Sequence, residues 1–279
     1  MRLRIDLAYD GGGFSGWAKQ PGLPSVQETL ESALAKVLRA EPGQIRTVVA
    51  GRTDSGVHAT GQVCHVDIAD GHSLLGHGAS VGEVITKRLR GALGKNPSIW
   101  IQEVSLAADG FDARFSPLRR RYEYRIADRA STKDPRHAGH TLWLPDRLNV
   151  AAMNRMGRAL LGLHDWASFC RARAGATTIR TLEKFSWKRD EHGVLIGTVV
   201  ADAFCHSMVR SLVGAAVAVG RGSLDVPDVV ELRDKAGRTS AWKTMPAHGL
   251  TLVHVEYPKD RDLARRAELT RAPRAPLAD

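Results

Sequence analysis

Leu3, Ile5 and Leu7 alternate with polar residues, the period of a strand with one buried face, until Tyr9-Asp10-Gly11-Gly12-Gly13 breaks the pattern. Ser25 and Glu28 then make a capping-box pattern, and the stripe Val26, Leu30, Leu34, Val37 and Leu38 predicts a helix ended by Glu41-Pro42-Gly43. Strands follow at about 45–51 and 61–68, then a helix at about 80–92 and a strand at about 98–105. This β-α-β-β-α-β order is that of a ferredoxin-like split unit. It recurs beyond residue 109, with a strand at about 119–127 and a helix at about 148–162. A strand at about 181–189 turns through Asp190-Glu191-His192-Gly193 into another at about 193–202. Helices at about 205–220 and 227–236 and a strand at about 250–256 close the pattern. The fold class expected is α/β (α+β), two ferredoxin-like halves with mainly antiparallel sheets flanked by helices. The halves are 1–108 and 109–258, and 259–279, rich in Arg, Ala and Pro without a period, is read as a flexible basic tail. Their likeness is one of pattern, with no residue-level repeat.

With 279 residues, 43% hydrophobic and 25% charged, the chain can bury a sizeable core, and its composition is not that of a disordered protein. Its longest weakly polar run, Ser211 to Gly220, is far shorter than the ~20 residues of a membrane span. The alternating N-terminus lacks the apolar run of a signal peptide, so a cytoplasmic protein without membrane partners is expected. Cys64, Cys170 and Cys205 are widely spaced, which argues against a disulfide framework or a Cys-rich zinc site and fits a reducing compartment. His137 and His140, beside Pro135 and Gly139, read as loop, and no metal site is expected. The net charge of +10, from 40 Lys plus Arg against 30 Asp plus Glu, points to a polyanionic partner, nucleic acid first. Candidate contacts are Lys87-Arg88-Leu89-Arg90, Arg119-Arg120-Arg121 with Arg125, and Arg171 with Arg173, although any one such cluster is more often a solvated face.

The candidate chemistry lies in Ala50-Gly51-Arg52-Thr53-Asp54-Ser55-Gly56-Val57-His58 and its continuation to Asp67. Apolar Val48-Val49-Ala50 leads in and Val63, Val66 and Ile68 lead out, so a polar, Gly-flanked loop hangs between two strands. Such a loop holds side chains at fixed angles, as chemistry requires. Asp-Ser-Gly is also ordinary turn chemistry, and by itself the loop reads as a strand connection. Upstream, Gly11-Gly12-Gly13-Phe14-Ser15-Gly16 fits the dinucleotide pattern G-x-G-x-x-G. That fold needs a helix starting at the glycines, whereas here Pro21, Gly22 and Pro24 intervene and the helix waits until Ser25.

Taken together, four ordered blocks carry a resemblance: Tyr9-Asp10-Gly11 to Gly16-Trp17; Gly51-Arg52-Thr53-Asp54-Ser55-Gly56-Val57-His58; Phe111 to Ser116 with Arg119-Arg120-Arg121-Tyr122-Glu123-Tyr124; and Ala203-Phe204 with Met208-Val209-Arg210. Gly249-Leu250 through Tyr257-Pro258 resembles the closing strand of the same family. The chain, from about residue 3 to 258, resembles the tRNA pseudouridine synthase A family. Departures are Ala18 where Gln is usual, Ser55 where Ala is usual, and Asp202 where Asn is common, the last leaving one polar contact open.

The resemblance implies the pseudouridine synthase fold, with Asp54 as the catalytic carboxylate, no cofactor and no metal. It implies action on uridines 38, 39 and 40 of the tRNA anticodon stem-loop by a homodimer whose tRNA touches both subunits. It assigns Tyr122 to the substrate uracil. Tyr122 and Tyr124 are expected on different faces of their strand, one of them in the core. Arg210 sits in a helix too apolar to lie on the surface, so its guanidinium needs a carboxylate or several acceptors. A structural ion pair meets that need as well as a functional one. In the family the matching Arg approaches the catalytic Asp, and Arg52 is the other candidate partner. His58 and His65 are read as structural. Two other classes compete: a non-catalytic RNA-binding protein on ferredoxin-like sheets, whose usual aromatic motif is absent, and a base-excising glycosidase using Asp54.

Overall fold

The computed structural model describes residues 1–41, 43–69, 81–94, 96–171, 177–237 and 239–272. They form two compact units, the first from Met1–Leu118 with Leu252–Ala272, the second from Arg119–Thr251. The first unit runs β1 (Arg2–Tyr9), α1 (Val26–Leu38), β2 (Thr47–Val49), β3 (His58–Asp67), α2 (Val81–Leu93) and β4 (Ile99–Leu106). Its antiparallel sheet has the order β4-β1-β3, and β2 pairs with β3. Leu3, Ile5, Leu7 and Tyr9 are buried along β1, with Leu30 and Leu34 of α1 and Ile85 and Leu89 of α2. Ser25 caps α1 through its Oγ, which accepts the Glu28 N–H, while the Glu28 carboxylate pairs with Lys19 at 3.1 Å. Only half of the predicted capping box therefore forms. The helix ends at Leu38, where Arg39 takes a left-handed conformation, ahead of the predicted stop.

The second unit runs β5 (Arg119–Ala127), β6 (Leu142–Trp143), α3 (Val150–Ala159), β7 (Gly162–Asp165), β8 (Ile179–Arg189), β9 (Leu195–Ala201), α4 (Met208–Arg221) and α5 (Val226–Asp234). Its sheet order is β5-β9-β8-β7, antiparallel throughout, with β6 added to β5 in parallel. The helix predicted to reach residue 162 stops at Ala159, because Gly162 takes φ +115° and opens β7, which pairs with β8. The chain between β5 and α3 is pinned by Asp128, a fully buried carboxylate. It accepts N–H groups from Ala130 and Leu148, the Ser131 hydroxyl and a bidentate Arg189. Burial alone would raise this carboxyl; Arg189 and the backbone donors outweigh it and hold it down at about 2.

The closing strand β10 (Leu250–Glu256) begins in the second unit, and from Leu252 it belongs to the first, where Gly61 of β3 packs closely on the Val253 carbonyl. Much of the segment read as a flexible tail is helical: α6 (Leu263–Arg271) buries Leu263 and Ala267. Arg266 donates to the Pro117 carbonyl at 3.1 Å and Arg271 to Asp112 at 2.8 Å. A nine-residue helix with two buried positions leaves little period to read. Residues 273–279, Pro42 and Arg173 lie outside the described residues.

The cysteine reading needs correction. Cys170 and Cys205, 35 residues apart, form a disulfide with their Cα atoms 5.8 Å apart. Spacing in the chain carried no sign of it, since the folding of β8 and β9 between them brings the two together. Cysteine usage therefore does not argue for a reducing compartment. Cys64 is free and buried, and burial pushes its thiol up. Among the described residues no helix is long and apolar enough to cross a membrane.

Candidate active site

Asp54 sits half-buried in the loop between β2 and β3. Its carbonyl accepts the Val57 N–H at 3.1 Å, and Gly56 takes φ +76°, so Asp54 to Val57 is a tight turn with glycine where positive φ is needed. The turn chemistry read from the sequence is real, and it presents the aspartate.

The glycine run after β1 is the frame of this turn. The Trp17 N–H donates to the Thr53 carbonyl at 3.0 Å, and the Gly56 N–H donates to the Phe14 carbonyl at 3.3 Å. The Ser55 hydroxyl donates to that same Phe14 carbonyl. Gly16 has φ +99°, and a Cβ there would stand 2.9 Å from the Thr53 carbonyl oxygen and 3.1 Å from the Ser55 nitrogen. Gly11 lies against the Val57 carbonyl with no room for a Cβ at all. A Cβ on Gly13 would meet nothing within 4 Å. The glycines thus let backbone approach backbone within the protein, which accounts for the G-x-G-x-x-G match without a dinucleotide. Buried His58 closes the far side: its Nδ1 accepts the Gly11 N–H at 3.0 Å and stands 2.9 Å from Asp10 Oδ1.

Beneath the loop lies a buried polar network that sequence reasoning did not single out. Tyr9 Oη and Thr53 Oγ1 are 2.8 Å apart. The Gln62 side-chain amide donates to Tyr9 Oη at 3.1 Å and to the Gly51 carbonyl at 2.9 Å. The signal available was phase, since Tyr9 continues the buried positions Leu3, Ile5 and Leu7. Arg52, by contrast, is exposed. It makes no hydrogen bond or ion pair with Asp54 or any other described residue.

The third block packs on the other side of β3. His65 is buried, accepts the Ala113 N–H at Nδ1 and meets the Phe111 ring edge-on. Burial lowers its pKa, which favours the neutral imidazole that this acceptor role requires.

In the second unit Tyr122 and Tyr124 are buried on one face of β5, against the expectation of opposite faces. Side chains two apart on a strand point the same way, and Arg120, Tyr122, Tyr124 and Ile126 follow that rule. Tyr124 is the core member: its ring packs on Gly249, its hydroxyl donates to the Pro246 carbonyl at 2.8 Å, and burial pushes its pKa up. Tyr122 meets Phe204 edge-on, with ring centres 5.2 Å apart.

Arg210 is half-buried in the first turn of α4, whose other residues up to Gly220 are buried. Its guanidinium donates to Ser207 Oγ at 3.1 Å and to the Met245 carbonyl at 3.3 Å. Ser207 takes φ +64°, a costly conformation for a residue with a Cβ, so the turn leading into Arg210 is strained. Asp202, which departs from the family pattern, accepts the N–H groups of Thr181 and Ala203, both at Oδ1. An asparagine oxygen would accept the same pair.

The basic clusters divide in the same way. Arg120 is buried on the Asp202 carbonyl, Arg119 pairs with Glu183, and Arg125 pairs with Asp190. Arg90 covers the carbonyls of Ile101 and Gln102 and stacks over Trp100. Lys87, Arg88, Arg121 and Arg171 remain exposed.

Residues 156–258 match the family model described as tRNA pseudouridine synthase. The chain is 54% identical to the tRNA pseudouridine synthase A of Leifsonia xyli subsp. xyli over 277 residues, covering 97% of this chain and 96% of that protein. It is 49% identical to that of Frankia casuarinae, covering 99% of this chain and 96% of the relative. For Cutibacterium acnes the identity is 47%, covering 98% and 95%. A likeness this close along nearly the whole length, with the Asp54 turn built as described, establishes that the chain belongs to the tRNA pseudouridine synthase A family.

Proposed function

We propose that this chain isomerises uridine to pseudouridine at positions 38, 39 and 40 of the tRNA anticodon stem-loop, with Asp54 as the nucleophile or general base at the ribose. The observation that carries this reading is a half-buried aspartate whose turn is held by the Gly11–Trp17 segment, in a chain 54% identical to a tRNA pseudouridine synthase A. In the reaction the N1–C1′ bond breaks, the uracil rotates, and a C5–C1′ bond forms while C5 loses its proton and N1 gains one. The change is redox-neutral, so the chemistry asks for no electron carrier. One carboxylate suffices when a covalent intermediate splits a difficult step in two. The target must leave its stack to reach that carboxylate.

Tyr122, Arg52 and Arg210 are assigned to substrate binding by the family resemblance. Tyr122 offers a ring for the uracil and a hydroxyl for a proton. Arg210 offers a positive charge to the substrate. Exposed Arg52 suits a phosphate. The functional unit is a cytoplasmic homodimer whose tRNA spans both subunits. The test is incubation of the purified protein with tRNA carrying tritium at C5 of uridine, followed by mapping of the modified positions. Tritium release with pseudouridine at 38, 39 or 40 is the expected result. Tight binding without release would select the RNA-binding alternative, and free uracil would select a glycosidase.

A further inference from the structure

We propose that Tyr9 and Gln62 are positioning residues for Asp54, acting through Thr53 and the Gly51 carbonyl. This rests on the assignment of Asp54 above and adds the device that aims it. Gln62 is fully buried, Tyr9 is 5% exposed and Thr53 is 6% exposed. The Gln62 amide has two N–H donors and uses them on Gly51 O and Tyr9 Oη. Tyr9 Oη, having accepted from Gln62, shares a second hydrogen bond with Thr53 Oγ1 at 2.8 Å, in which either hydroxyl can donate. Burial raises the Tyr9 hydroxyl to about 12, so its proton stays in place at neutral pH. The Thr53 side chain is thereby fixed from below, while its carbonyl is fixed by the Trp17 N–H. Those two holds define the peptide plane that leads into Asp54.

The strands are shaped to allow it. Leu7 faces Gln62, yet Tyr9 faces Ala59, so β3 carries an extra residue at this point and the register shifts. Such bulges re-aim side chains beside functional sites. Apolar residues of the same volume would fill the space equally well; what hydrogen bonds add is direction, and leaving any partner unpaired in a buried site is costly.

The test compares Tyr9→Phe, Thr53→Val and Thr53→Ser in single-turnover pseudouridine formation at saturating tRNA. Tyr9→Phe and Thr53→Val should slow the step ~10- to 100-fold, as small misplacements of a catalytic group do, with tRNA Kd unchanged within about twofold. Thr53→Ser keeps the hydroxyl and should rescue most of the rate. The double variant Tyr9→Phe/Gln62→Met should lose no more than the worse single change, since one network is broken either way. Wild-type rates for Tyr9→Phe and Thr53→Val, or losses confined to Kd, would overturn the proposal. If Tyr9→Phe does not fold, the Thr53 pair decides. An active Asp54→Asn enzyme would instead contradict the assignment of Asp54 on which this inference rests; an inert one beside wild-type-rate Tyr9→Phe and Thr53→Val contradicts only this inference.

Discussion

Gly16 and Gly13 belong to one glycine-rich run, yet they answer to different neighbours. Gly16 lies on the Thr53–Ser55 backbone with φ +99°, whereas Gly13 has open space around it. Gly16→Ala should therefore cut turnover at least ~10-fold by displacing the Asp54 turn, and Gly13→Ala should leave it near wild type. A phosphate-cradling run would show the reverse weighting, with Gly13 as the position of close approach, so parallel rate measurements separate the two. Asp54 was legible through the family resemblance of its whole block, because by itself a polar loop between apolar runs reads as a strand connection. Tyr9 and Gln62 went unread because a tyrosine or glutamine on a buried strand position looks like any core residue until its partners are known. The faces of Tyr122 and Tyr124 were misjudged although strand period settles them: both belong to one buried face.

At the scale of elements, hydrophobic period located the main strands and helices, and errors gathered where tertiary contacts decide. Helix α3 stops early because β7 recruits Gly162 to the sheet, and α6 is helical because Asp112 and Pro117 hold it. Helix α4 was legible as buried, and the guanidinium of Arg210 in its first turn stood out for that reason. We expect Arg210→Met to lower turnover by at least ~10-fold through lost electrostatic stabilisation while tRNA binding changes little. Turnover at the wild-type rate would remove Arg210 from the site. The excursion between β5 and α3 makes a separate prediction through Asp128. Its carboxyl is held at about 2 when folded, against about 3.9 in an unfolded chain. A depressed folded pKa stabilises above the unfolded value, so this contribution is full above about pH 4 and fades as pH falls toward about 2. In acid denaturation followed by circular dichroism, Asp128→Asn should lose stability at neutral pH and show a shallower decline across that window. An unchanged acid limb would mean that the Asp128–Arg189 pair does not set it.

For the whole molecule, the order of elements was readable because each half repeats one simple pattern, whereas the Cys170–Cys205 contact depends on how β8 and β9 fold back and has no local sign. The +10 charge reads directly as a polyanion-binding property. Affinity for tRNA should fall steeply with salt, with a log–log slope of about −0.7 to −0.9 per phosphate contacted. A flat dependence would argue against phosphate contacts as the main source of affinity. In the proposed function these contacts spread over a surface while the chemistry is concentrated in Asp54, and that division gives the most direct test. Asp54→Asn is nearly isosteric, lies in a polar turn outside the apolar core, and keeps every phosphate contact. The account predicts a folded variant by circular dichroism, tRNA affinity within about threefold of wild type because binding is distributed, and no detectable tritium release from C5-labelled uridine. A folded Asp54→Asn protein that forms pseudouridine at near the wild-type rate would contradict it.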